Sequence, residues 1–244
     1  MKLIMKSSRT AAVLFALGSA AASAHAQTPL EFSMTAQPTS YPIAHTAYRV
    51  KGYASATFGM TPAQVRAVIA ADYPGALAHA REVVDPLDRS RTLTVTVPRL
   101  APGPGAASIH YVFGASSGKL VGVHVDWEAA GRATRAQQEA LSSAGTILTA
   151  GVVGYRWAPM SSLRGRIVAP GVIVLFAGTD EQDAAIQIRL EGVGFDVEKP
   201  QKTPGPLPVE LVRRQPPPGP ARLRLSAIAN NSNPDVYRIP AGAF

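Results

Sequence analysis

Residues 108–127 read SIHYVFGASSGKLVGVHVDW. Two alternating runs flank the small, flexible stretch Gly114-Ala115-Ser116-Ser117-Gly118, which is the pattern of a β-hairpin. Successive side chains of a strand point to opposite faces. Ile109, Tyr111, Phe113, Val121, Val123, Val125 and Trp127 are odd-numbered and share one face. His110, His124 and Asp126 share the other. Just upstream, Arg91–Val97 alternates with the same parity: Leu93, Val95 and Val97 are apolar, whereas Thr92, Thr94 and Thr96 are polar. The three runs predict an antiparallel meander with one apolar face, and a one-residue slip of register would turn that face to water.

The apolar face needs a cover, and the chain supplies helices. In Phe58-Gly59-Met60-Thr61-Pro62-Ala63-Gln64-Val65, Thr61 is a good N-cap, Pro62 suits the first helical turn, and Gln64 completes a capping box. Met60 can staple onto Val65. Val65, Val68, Ile69 and Tyr73 follow one helical face, and Pro74-Gly75 stops the helix. The spelling recurs at Thr134-Arg135-Ala136-Gln137, followed by Leu141, Ala144 and Leu148, with Gly145 as a weak point. Further strands are predicted at Gly154–Trp157, Arg166–Ala177 and Ala184–Val193. An edge strand is predicted within Tyr48–Thr57. The pattern predicts an α+β fold, a helix packed on an antiparallel meander sheet, as two tandem helix-plus-three-strand units at residues 48–130 and 131–198.

The Phe58–Val65 stretch also resembles the Gly-Met-Thr-x-x-(Glu/Gln)-Val helix start of small envelope and secreted proteins with the β-lactamase-inhibitor-like fold. The small lipoprotein of the outer-membrane barrel-assembly machinery is one member. The resemblance covers about eight residues plus the helix and meander after them. It implies a module that works by binding other proteins, with no cofactor. This chain departs from the pattern in having no lipid-carrying cysteine, a long loop from Gly75 to Ser90, and a basic Pro-rich tail.

The two ends suggest where the protein works. Lys2, Lys6 and Arg9 precede the apolar run Ala11–Gly18 and the small-x-small site Ala24-His25-Ala26, which is the form of a signal peptide over residues 1–26. Export to the periplasm or medium is expected. The absence of cysteine excludes a lipoprotein anchor, disulfides and thiolate chemistry. Residues 27–47 read as an extended arm. From Lys199 to Phe244 the chain is Pro-rich and basic, with seven Lys/Arg against two Asp/Glu, and Ala221–Ala229 reads as one late strand. The tail carries a net +5, which equals the excess left once the three basic residues of the leader are removed from 24 Lys+Arg against 16 Asp+Glu. A basic excess confined to a tail is not the charged face of a nucleic-acid-binding domain. It fits an anionic envelope surface, with Arg213, Arg214, Arg222 and Arg224 as the candidate contacts.

Catalytic motifs are incomplete. Gly114–Leu120 approaches a phosphate loop but is one residue short and leads into a strand. Ser116-x-x-Lys119 has the spelling used by penicillin-binding enzymes without its companion motifs. Asp180, Glu181 and Asp183 lack the spacing of a calcium loop. His110 and His124 are expected to face each other ~5 Å apart across the hairpin, with Asp126 one step along. They are the candidate metal ligands, yet no third ligand stands at proper spacing. The sequence therefore favours two polar residues on a solvated sheet face. The expected function is an exported, non-enzymatic protein-binding module of the bacterial cell envelope. Thr94, Thr96, His110, His124 and Asp126 would meet an envelope or secreted protein partner. The alternatives are a histidine-dependent hydrolase or metal-binding protein using His110 and His124, and a periplasmic small-ligand carrier.

Overall fold

The computed structural model describes residues 46–198, 211–214 and 220–238. The leader, nearly all of the arm, and the tail positions from Lys199 to Glu210 lie outside them. The described chain is α+β. Strands β1 (Gly52–Tyr53) and β2 (Ala56–Thr57) form a two-residue ladder in place of the longer edge strand expected at Tyr48–Thr57, because Ala54 reverses the chain at φ 50°. Helix α1 spans Pro62–Asp72. Then come β3 (Arg81–Val84), a strand inside the Gly75–Ser90 stretch read as a loop, β4 (Arg91–Val97), β5 (Ala107–Phe113) and β6 (Leu120–Ala129), then α2 (Arg135–Val153). Next are β7 (Leu163–Ala169), β8 (Val172–Thr179), β9 (Ala185–Glu191), β10 (Phe195–Glu198), β11 (Leu211–Arg214) and β12 (Ala221–Ile228).

Both capping boxes form. The Gln64 N–H donates to Thr61 Oγ1 at 3.3 Å while Gln64 Oε1 accepts from the Thr61 N–H at 2.9 Å. Thr134 and Gln137 repeat this at 3.3 and 2.8 Å. A cap of this kind stabilises a helix by about 1 kcal/mol. Val65 and Ile69 of α1 are fully buried, and so are Leu141 and Ala144 of α2. Gly145 proves to be a point of contact. A Cβ there would run into Leu175 Cδ1 and lie 3.2 Å from Leu223 Cδ1, so the glycine lets α2 sit close on the sheet.

Eight strands form one sheet in the order β3-β4-β5-β6-β12-β9-β8-β7, and every neighbouring pair is antiparallel. The apolar parity read from the hairpin holds for Leu93, Val95, Val97, Ile109, Tyr111, Phe113, Val123, Val125 and Trp127, all buried. It fails at Val121. A bulge pairs Phe113 with Leu120 and Val112 with Gly122, so Leu120 takes the core place and Val121 is the extra residue. Leu223, Leu225, Ile188 and Leu190 extend the same face and join one core cluster with the helix residues. Each such side chain, fully buried, contributes roughly 1.5–3 kcal/mol.

Three expectations are corrected. Gly154–Trp157 is not a strand; it makes a single parallel bridge, Arg156 to Ala47. Arg166–Ala177 is two strands, because Pro170 and Gly171 (φ 71°) turn the chain between β7 and β8. The boundary at Lys199 also moves. β12 is the centre of the sheet, bonded to β6 on one side and β9 on the other, and β11 pairs back with β10.

After β12 the chain runs past three hairpin turns. The Asp183 carboxylate accepts from the Ser232 N–H and hydroxyl, both at 2.8 Å. The Asp235 carboxylate accepts from the N–H groups of Ser116 and Ser117 at 2.9 and 3.0 Å. The Tyr237 N–H donates to the Asp88 carbonyl at 2.8 Å, with the Arg89 guanidinium 3.9 Å from the Tyr237 ring centre. Asn230–Arg238 is therefore a strap over the β8–β9, β5–β6 and β3–β4 turns.

Candidate functional site

The face of the sheet opposite the helices carries the polar parity. Register places Thr94, His110, His124, Ser226 and Gln187 in one cross-strand row over five strands. The next row holds Thr96, Ser108, Asp126, Arg224 and Arg189. The expected candidates Thr94, Thr96, His110, His124 and Asp126 are thus brought together.

Local bonds fix the orientations of Thr94, His110, His124 and Asp126. Thr94 Oγ1 lies 2.9 Å from His110 Nδ1. His110 Nε2 lies 3.3 Å from Asp126 Oδ2. His124 Nδ1 lies 2.9 Å from Ser226 Oγ. Asp126 receives both arms of the Arg224 guanidinium, Nε to Oδ1 at 2.7 Å and Nη2 to Oδ2 at 2.8 Å. One step along, the Arg222 guanidinium donates to Glu128 Oε2 at 3.0 and 2.7 Å. Arg189 Nε is 2.8 Å from Glu191 Oε1.

The titration of these groups follows from their surroundings. Burial alone would push the Asp126 carboxyl up. The hydrogen bonds from Arg224 and His110, with their charges, outweigh it and hold the carboxyl well below the usual carboxylate range. Burial pushes His124 down, and the Arg224 charge adds to this. Bonding to Asp126 pushes Arg224 up.

Arg222 and Arg224, expected as cations of a tail, are therefore residues of the central strand, each engaged by a carboxylate. Arg213 and Arg214 fall on β11, in register with Asp196 and Phe195. Sequence reasoning missed Ser226, Gln187 and Arg189 as members of the face. The alternation of Arg222 and Arg224 with Leu223 and Leu225 was the available signal, but only the non-local pairing of β12 with β6 assigns the partners.

The face can hydrogen-bond and pair charge. Thr94, His110 and Asp126 form a hydroxyl–imidazole–carboxylate chain, but both Asp126 oxygens are already held by Arg224. Among the described residues no group of three or more His, Asp or Glu side chains is arranged to hold a metal ion. A cleft of about 470 Å³ lies elsewhere, lined by Arg49, Lys51, Phe58, Asp180, Gln182 and Ala229 among others, and neither histidine reaches it. Among the described residues no helix is long and apolar enough to cross a membrane. The chain matches no protein-family model, no curated protein and no solved structure.

Proposed function

We propose that the chain is an exported, non-enzymatic protein-binding module of the bacterial cell envelope, with the polar sheet face as its contact surface. The observation that carries this reading is the two-row polar array from Thr94 and Thr96 across to Gln187 and Arg189, in which Thr94, His110, His124, Ser226, Asp126 and Arg224 are held by one another. These six side chains are oriented before any partner arrives, so little of their conformational entropy is lost on docking. The local resemblance at Phe58–Val65 and the signal-like leader support the same reading. We further take the α1–β4–β5–β6 and α2–β7–β8–β9 segments as two copies of one unit, with β12 closing the space between them.

A histidine-dependent hydrolase is the second reading, and the Thr94–His110–Asp126 chain favours it. It is weaker because the carboxylate that should orient the imidazole is bound to Arg224. Hydrolysis of a p-nitrophenyl ester that disappears in His110→Ala would establish it.

The test of the main reading compares captures from envelope fractions by the wild-type chain and by a Thr96→Glu, Gln187→Glu double variant. Both positions lie on the open face away from the core. The reading expects a protein retained by the wild type and lost by the variant, with both melting alike. Identical captures would overturn it. Processing after Ala26, read by mass, tests the export step.

A further inference from the structure

Among the described residues the sheet has two free edges, and they are unlike. β3 is four residues long, and its Glu82 is tied by Arg66 at 2.7 Å and by Arg91 at 3.4 Å. β7 is seven residues long, pairs only with β8 among the described residues, and is exposed from Arg164 to Ala169. An uncovered edge offers a row of backbone N–H and C=O groups to any extended chain. β7 contains no acidic residue and no proline. Ile167 and Val168 are 41% and 51% exposed.

Its charge selects what can lie there. Arg166 is exposed and makes no hydrogen bond or ion pair among the described residues, whereas Arg164 donates to the Val153 carbonyl at the end of α2. Register sets Arg166 opposite Val174, Val174 opposite Arg189, and Arg189 opposite Arg224. Arg224 and Arg189 are already engaged by Asp126 and Glu191, so Arg166 is the cation left unneutralised at this edge among the described residues. A second copy of β7 fits badly, since two-fold pairing centred on Arg166 would set arginine against arginine, and like charges directly opposite are destabilising. An acidic strand would instead meet Arg166 with a carboxylate and cover Ile167 with an aliphatic side chain.

We propose that β7 is a docking edge for an extended acidic segment of a partner protein, which adds as a further strand along Leu163–Ile167. Pairing with β8 skips Gly165 (φ 57°) within this stretch, and the register shift between Ile167 and Ala169 ends it and bounds the site. Backbone bonds along the edge supply affinity, and the Arg166 charge supplies selection. This surface is separate from the row of histidines, so it stands whether or not the central face binds anything.

The experiment uses the full chain and a fluorescent eight-residue peptide of alternating Val and Glu. Anisotropy measures binding, and amide exchange followed by NMR locates it. The proposal expects new protection in Leu163–Ile167, a loss of at least about fivefold in affinity for Arg166→Glu, weaker binding at high salt, and no binding by a backbone N-methylated peptide. A matched Val/Lys peptide should not bind. The proposal is overturned if the acidic peptide does not bind, or if protection falls elsewhere. It is also overturned if the N-methylated or lysine peptide binds equally well. Protection of β7 in the free protein that rises with protein concentration would assign the edge to a second copy and overturn it as well.

Discussion

Asp126 is the residue on which the polar face turns. Its two oxygens take both arms of Arg224, and one of them also lies 3.3 Å from His110. Replacing Arg224 by Met leaves a largely buried carboxylate without its main partner, and should cost about 2 kcal/mol in urea unfolding. Adding Asp126→Asn should recover part of that loss, because the stranded charge is then gone. If the single and double variants are equally unstable, the pair is not what holds the row. The two titrating groups also set the direction of pH dependence. Asp126 has a folded pKa below its unfolded value near 3.9, so its contribution is full above that pH and is lost as pH falls through the acid range. His124 also has a folded pKa below its unfolded value near 6.5. The unfolded chain then takes up the proton first, and stability falls as pH drops from 7 toward 5. His124→Asn should flatten that slope in chemical denaturation curves at pH 5, 6 and 7, while the acid loss due to Asp126 remains. The parity of His110, His124 and Asp126 was legible in the sequence because it depends only on alternation within one hairpin. The Arg224 contact was not legible, because it spans 98 positions and needs the sheet order.

At the scale of elements, local chemistry was read well and non-local placement poorly. The two capping boxes form where Thr61–Gln64 and Thr134–Gln137 announce them, since a cap involves only four residues. The bulge at Val121 and the turn at Pro170-Gly171 each shift a boundary by a residue or split a run, and alternation alone does not mark them. β12 lies in a Pro-rich, basic stretch that composition assigns to a tail, yet Ala221 and Leu223 are fully buried. This changes how the anionic-surface idea must be tested. Deleting Lys199–Phe244 would remove the central strand and unfold the sheet. Arg213→Ala with Arg214→Ala is the suitable variant, and a real surface role predicts weaker binding to anionic vesicles by about 1 kcal/mol per residue at low salt. The strap makes its own prediction. Asp235→Ala removes the acceptor for the Ser116 and Ser117 N–H groups and should cost about 1 kcal/mol. It should also speed amide exchange in the β5–β6 turn without disturbing α2. Unchanged exchange at Ser116 and Ser117 would mean that the strap does not hold that turn.

At the scale of the whole molecule, the helices occupy one face of the sheet and leave the other to a continuous polar array across β4, β5, β6, β12 and β9. The α+β class followed from the apolar parity of one hairpin and two helix starts. The eight-stranded order did not, because inserting β12 between β6 and β9 is a long-range pairing that leaves no local mark. The same topology gives the polar face its extent, since Ser226 and Arg224 of β12 carry it from the first meander to the second. The most direct test is site-specific photo-crosslinking in cells that export the chain. A photoreactive residue at Thr96 on the polar face is compared with one at Glu139, exposed on α2. A discrete adduct with another envelope protein from position 96, and none from position 139, is the predicted result. Equal adducts from both positions, or none from position 96, would contradict the assignment of the polar face as the working surface.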